Sequence, residues 1–365
     1  MNPQEVFCPN MACPARGPVG QGNVIGHGRT RRRYRCTVCR KTFGPRTGTM
    51  FHRRHTAMRL MIQIITLVSY GCPISAIEAA FAIQARTVRS WVRAAGRQSA
   101  AVQQLLVQQP RELGQVQADE LRVRIAGGVV WMAMAMVVSS RLWLGGVVGL
   151  TRDRGLIDRL AAVVARSALG QRLLLVVDGF GAYVEAFKRA CATYQSHPHG
   201  GRRTCVPWQG LVIAQVVKQA SSGAWLHHRL AYGTVREFLT GLWSTPGCQV
   251  LNTAYIERLN ATFRARLAAL VRRTRALAGL PETLTHGMQL VGAHYNFCTL
   301  HSSLTTADRE RQTPAMAAGI TDHWWSMSEL LSYRVPPARW QPPRRRGRRS
   351  RELQALIERW VPAHH

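Results

Sequence analysis

The chain has 365 residues, 46% of them apolar, enough to bury a substantial core and too many for a disordered polypeptide. Lys and Arg number 49 against 18 acids, and the formal net charge of +31 costs self-repulsion unless a polyanion relieves it, so nucleic acid is the expected partner. The longest apolar runs, GVVWMAMAMVV and MIQIITLV, fall short of the roughly 20 residues a membrane span needs, and the start MNPQEVFCPN lacks the parts of a secretory signal, so a cytosolic protein without a membrane partner is expected.

Residues 1–50 are rich in Cys, Gly and Arg and read as short strands and knuckles. CPNMAC supplies Cys8 and Cys13, CTVC supplies Cys36 and Cys39, and four thiolates in two such pairs suit a closed, structural zinc site, a small zinc ribbon. A rival set, Cys36, Cys39, His52 and His55, has only two residues between its histidines and leaves Cys8 and Cys13 idle. Nine cysteines, an odd count, fit a reducing compartment better than a disulfide framework.

Residues 51–100 turn helical. HTAMRLMIQIITLVSYG ends before the breaker Pro73, and ISAIEAAFAIQARTVRSWVRAAGRQ follows. Ile74, Ile77, Ala80 and Phe81 form one apolar face; after a turn near Ile83, Val88, Trp91 and Val92 form another. Arg86, Thr87, Arg89 and Ser90 then face outward on the second helix, as in a helix-turn-helix that reads DNA. Gln84 stands where a capping Ser or Thr is more usual, and a plain helical hairpin with solvated arginines is the alternative.

From 113 to 305 strands come first. GQVQADELRVRI, GGVVWMAMAMVVS and RLWLGGVVGL read as an antiparallel meander, in which Met132, Met134 and Met136 are core packing. Helix RDRGLIDRLAAVVARSAL, strand RLLLVVDG, helix FGAYVEAFKRACATY and strand GLVIAQVVKQ follow, so an α/β fold with a mixed sheet flanked by helices is expected. Cys191, His197, His199 and Cys205 match no familiar metal spacing and read as a loop. Residues 306–365 form a basic extension, PPARWQPPRRRGRRSREL, with a short helix over 352–360.

Only nine acids lie between 113 and 305. Asp119 falls in the first strand, Asp178 ends the strand LLLVVDG at a carboxyl edge, and Glu257 flanks the stripe Ile256, Leu259, Phe263, Leu267 and Leu270 of a late helix. Two Asp and one Glu converging there suit a pair of magnesium ions, or manganese, acting on a phosphodiester. Glu120 competes with Asp119, since strand alternation lets only one of them point inward. His294 and His301 read as polar contacts of a helical segment.

ADEL, VVDGFGAY and YIERLNATFRARLAALVRRT, in that order after a cysteine knuckle and a helix-turn-helix, resemble the DDE transposases of bacterial insertion sequences, most closely the insertion-sequence-one type. HYNFCTLHSSL is similar to the tyrosine/asparagine segment that closes many such cores. The resemblance implies a ribonuclease H-like catalytic domain over 113–305, with Asp119, Asp178 and Glu257 as the magnesium-binding triad and Arg264 as the contact to the element's terminal nucleotides. It further implies a bacterial or archaeal protein that assembles as a homo-oligomer on double-stranded DNA, nicks element ends and joins the freed 3′-hydroxyl to target DNA. The 79-residue interval from Asp178 to Glu257 exceeds what a compact core needs, which suggests an insertion around 219–250 or an elaborated strand pair. The alternatives are a catalytically inactive, domesticated regulator that binds DNA without cutting, and an RNA-processing nuclease of the same fold.

Overall fold

The computed structural model describes residues 2–28, 33–170, 172–196, 200–201, 203–219, 225–246, 250–270, 279–343, 347 and 349–361. Its contacts divide the chain into two units, Met1–Thr56 with Ser332–His365, and Ala57–Leu331. These units do not follow the composition boundaries. The helices expected as a separate module over 51–100 group with the sheet, and the extension expected over 306–365 divides at Ser332, its last part grouping with the cysteine segment.

In the first unit, β1 (Val24–His27), β2 (Arg33–Cys36) and β3 (Thr42–Phe43) form an antiparallel sheet in that order. Val6, Val24, Tyr34 and Phe43 make its small apolar core.

The second unit opens with α1 (Met58–Ser69), α2 (Ile74–Phe81) and α3 (Ala85–Val102). The meander β4 (Gly114–Ile125), β5 (Gly128–Val137) and β6 (Trp143–Gly149) leads to α4 (Arg154–Ser167), β7 (Leu173–Asp178) and α5 (Ala182–Ala190). A small hairpin, β8 (Ala192–Gln195) with β9 (Thr204–Pro207), precedes β10 (Leu211–Gln219), β11 (Trp225–Tyr232), α6 (Val235–Trp243), α7 (Ala254–Arg266) and α8 (Pro281–Cys298). The main sheet has six strands in the order β11-β10-β7-β4-β5-β6. β7 runs parallel to β4 and β10, and the other neighbours are antiparallel, so the expected mixed sheet is present.

Its centre is buried on both faces. Met132, Met134 and Met136 pack with Leu121, Val123, Ile256, Leu259, Phe263, Met288 and Val291 beneath α7 and α8. Of the two expectations for 219–250, the described residues show the strand pair: β11 pairs with β10 as the sheet's edge strand, and Leu242 of α6 packs on Leu174, Val176 and Val212. The helix expected to run to Tyr194 stops at Ala190, and β-favouring Thr193 and Tyr194 pair in β8 instead. In that hairpin Cys191 is buried and Cys205 exposed, while His197 and His199 lie outside the described residues.

Two close approaches fix α8. Asn296, fully buried, donates to the Trp143 carbonyl at 2.8 Å and to Gln103 at 3.2 Å, and accepts from the Trp143 amide at 2.9 Å. This tyrosine/asparagine segment therefore ties α8 to the start of β6. On α3, a Cβ at Gly96 would lie 2.4 Å from the His286 carbonyl oxygen of α8. Helix propensity alone favours alanine there by about 1 kcal/mol, but overpacking against backbone outweighs it. Gly96→Ala is expected to destabilise the protein by about 1–3 kcal/mol in denaturant titrations. Gly155→Ala in the first turn of α4, where the added Cβ comes no nearer than 3.4 Å to the Asp153 carboxylate, should leave stability unchanged or raised.

Candidate active site

β4 and β7 are paired in parallel as far as Gln117 opposite Val176, and beyond that rung they part. Asp119 and Asp178 each stand two residues past it, at the same level on the two strands, where no backbone ladder lies between them. A cavity of about 520 Å³ opens there, lined by Asp119, Arg152, Asp178, Phe180, Thr253 and Glu257, among others.

Helix α7 is fastened over this opening by two successive outward residues of β4. Gln117 accepts from the Ile256 amide at 2.9 Å and donates to the Asn252 carbonyl at 2.7 Å. Asn260, one turn further along α7, donates to the Asp119 carboxylate at 2.7 Å. The two-residue step of the strand thus meets the four-residue step of the helix, which places Glu257 at the cavity wall. Glu257 accepts from the Thr253 hydroxyl at 3.1 Å, and its side chain is exposed.

Asp119, Glu120 and Asp178 each bring a carboxylate oxygen within 4.8 Å of the other two. The expectation that strand alternation admits only one of Asp119 and Glu120 is corrected here. Glu120 starts on the opposite face of β4, but its longer side chain joins the group at the edge where β7 ends. There it accepts from the buried Tyr183 hydroxyl of α5 and pairs with Arg152. Glu257 lines the same cavity without belonging to that close group. Sequence reasoning missed the supporting set of Arg152, Tyr183 and Gln117, for which no local motif exists.

Burial pushes the Asp119 carboxyl up to about 6; the Glu120 amide, donating at 2.8 Å, opposes the rise, and the charges of Glu120, Asp178 and Glu257 add to it. Burial likewise raises Glu120, against the Tyr183 and Arg152 contacts. Arg152 reaches Asp178 at 3.0 Å and lies over the Phe180 ring at 4.4 Å, so one guanidinium serves two carboxylates. Among the described residues the buried Asn260 Oδ1 has no hydrogen-bond partner. Crowded carboxylates, a raised Asp119 and an orphaned oxygen beside it form an oxygen-rich donor set that fits a hard divalent cation.

His294 and His301 serve elsewhere. Arg266 donates to His294 Nδ1 at 3.1 Å, and burial with that guanidinium holds His294 down at about 3. His301 packs edge-on against Tyr295, and burial lowers it to about 4. Arg264 is half-buried two turns after Glu257 on α7.

On the helical pair, Arg86, Arg89 and Ser90 are exposed at the start of α3 and Thr87 is half-buried. Ala80, expected on the apolar face, is exposed, while Ile77, Val88 and Trp91 are buried. Gln84 makes no side-chain cap; Glu78 of α2 accepts from the Ala85 amide at 3.0 Å in its place.

In the other unit the structure brings all four expected cysteines together, and their sulfurs lie within 4.8 Å of one another. Cys8 and Cys39 are 3.7 Å apart and Cys13 and Cys36 3.8 Å. Tetrahedral metal–sulfur bonds of about 2.3 Å give sulfur–sulfur edges of about 3.8 Å, so the thiols stand at ligand spacing. Burial pushes Cys8 far up and Cys13 up to about 12; Cys39 is also raised by burial, but contacts from Asn10, Lys41 and the neighbouring thiols bring it down to about 7. His52 and His55, the rival ligands, are exposed and outside the group.

No protein-family model matches the chain, and no curated protein matches it. Among the described residues no helix is long and apolar enough to cross a membrane.

Asp119→Asn removes one charge from the crowded set, and Asn260 can turn its amide to present Oδ1 to the new donor. The metal-free variant should unfold about 1–2 kcal/mol less readily than wild type at neutral pH, and added Mg²⁺ should raise the melting temperature of wild type but not of the variant. Equal responses of both proteins to Mg²⁺ would remove Asp119 from the cation site.

Proposed function

We propose that this protein is a DDE transposase of an insertion sequence, with a ribonuclease H-like catalytic core, a structural zinc ribbon and a helix-turn-helix. The observation that carries this reading is the meeting of Asp119, Asp178 and Glu257, far apart in the chain, around one cavity where two parallel strands part at the carboxyl end of β7. The sheet supports it as well, being an antiparallel meander extended by parallel strands with the acids on its central pair. So does the formal net charge of +31, which suits a polyanionic substrate.

Asp119 and Asp178 would hold the divalent ions, with Glu257 completing the set from α7 and Glu120 adding negative charge behind Asp178. Divalent ions held by these residues would supply activation of a water or sugar hydroxyl and stabilisation of the leaving oxygen. The chain's own residues orient the ligands. Asn260 and the Glu120 amide fix the Asp119 carboxylate, the Phe180 amide holds Asp178 at 3.0 Å, and Tyr183 with Arg152 fixes Glu120. Arg86, Thr87, Arg89 and Ser90 would contact the element end, Arg264 would contact the terminal nucleotides, and the cysteine unit would add phosphate contacts.

A supercoiled plasmid carrying the DNA that flanks the gene tests the proposal. Wild type should nick it with Mg²⁺ or Mn²⁺ and not in EDTA. Asp178→Asn and Glu257→Gln should each lose at least about 100-fold in rate while binding the same DNA with unchanged affinity. Binding without nicking by wild type would favour the domesticated regulator, and cleavage confined to RNA would favour the nuclease.

A further inference from the structure

Residues 332–361 form part of the cysteine unit through two separate anchors. The first is a proline-rich strap. Arg334 donates to the Pro45 carbonyl, and Arg16 donates from Nε to the Ala338 carbonyl at 2.8 Å and from a terminal nitrogen to that of Arg339 at 3.4 Å. Gly17, at φ +92°, lets the strap come so close that a Cβ would stand 2.7 Å from the Pro337 oxygen.

The second anchor is the last helix, Arg351–Trp360, capped by the Ser350 hydroxyl, which accepts from the Leu353 amide at 3.3 Å. Its apolar stripe lies on the metal-ligand set itself: Leu356 and Trp360 cluster with Cys8, Cys13, Ala15, Cys36, Val38 and Cys39. Trp360 is only 9% exposed. Apolar side chains clustered with the sulfurs keep water from the ligands, and the apolar surround of a metal site governs how fast solvent and competing ligands reach it.

Between the two anchors the sequence reads PPRRRGRRS, with five arginines. Met1–Thr56 with Ser332–His365 carries 20 Lys and Arg against 3 acids, whereas Ala57–Leu331 carries 29 against 15. More than half of the net charge therefore belongs to the smaller unit.

We propose that Arg351–Trp360 is a wall of the cysteine metal site and that the two form one head for the phosphate backbone of duplex DNA, in which the metal, by holding the helix, holds Arg349 and Arg351 at its start. The proposal rests on the zinc and DNA-binding parts of the reading above and not on its chemistry. It changes the role of the last 30 residues from an appended tail to a structural part of the metal site.

The test uses the zinc-loaded full-length chain and three variants, Trp360→Ala, Trp360→Phe and Arg349→Gln/Arg351→Gln. Two quantities are read, zinc transfer to a chromogenic chelator and the salt dependence of binding to a random-sequence duplex without Mg²⁺. Trp360→Ala should release zinc at least about tenfold faster, and Trp360→Phe should release it near the wild-type rate. The arginine double variant should keep its zinc and lower the slope of log affinity against log salt by about 2. Zinc-depleted Trp360→Ala should show a fall at least as large. Wild-type zinc retention in Trp360→Ala, or zinc loss with an unchanged salt slope, would overturn the proposal. A wild-type chain without thiol-bound zinc would also overturn it, and would leave the nicking assay as a separate question.

Discussion

Like charges forced together at one sheet edge are the constraint around which Ala57–Leu331 is organised. Asp119, Glu120 and Asp178 converge with Glu257 at the cavity wall, and the groups that hold them are mostly neutral donors: a side-chain amide, a phenol, a hydroxyl and two backbone amides. Such partners orient a carboxylate without discharging it. Among the described residues Arg152 alone brings a compensating charge to Glu120 and Asp178, and it does so from the loop between β6 and α4, not from the packed core. Excess negative charge at this edge, in a chain otherwise strongly positive, is what a divalent cation would relieve.

The rest of this unit serves that edge. The ladder between β4 and β7 ends two residues before the two aspartates, and the cavity opens where the strands part. Gln117 and Asp119 present one face of β4 to α7 while Glu120 presents the other to α5, and a single strand therefore positions both halves of the acidic set. Behind α7, the methionines of β5 and the aliphatic residues of α8 form a continuous core. Gly96 and Asn296 set how closely α8 can approach α3 and β6. Precision at the carboxylates is thus underwritten by buried contacts among groups that never meet a ligand.

The cysteine unit follows a different economy. Its apolar clusters are small, its charge is high, and much of its interior consists of sulfur, one indole and a few aliphatic side chains. A segment so poor in buried area needs a cross-link to hold its shape, and four thiols at tetrahedral spacing offer one.

Local pattern was a good guide wherever structure is local. Alternation marked β4 over 114–125 to the residue, apolar runs marked β7 and β10, helical periodicity placed α1 to α4 and α7, and paired cysteines announced their own grouping. The scarcity of acids pointed to Asp119, Asp178 and Glu257, and the cavity unites all three. Alternation failed at Glu120 because it describes where a side chain leaves the strand, while a glutamate beside the point where the neighbouring strand ends can still reach across. The cap of α3 came from Glu78, a different helix, and the last helix closed on cysteines more than 300 residues away in sequence. Those contacts depend on chain segments that meet only after the sheet and the knuckle have formed, and no periodicity along a single segment encodes the distance between two of them.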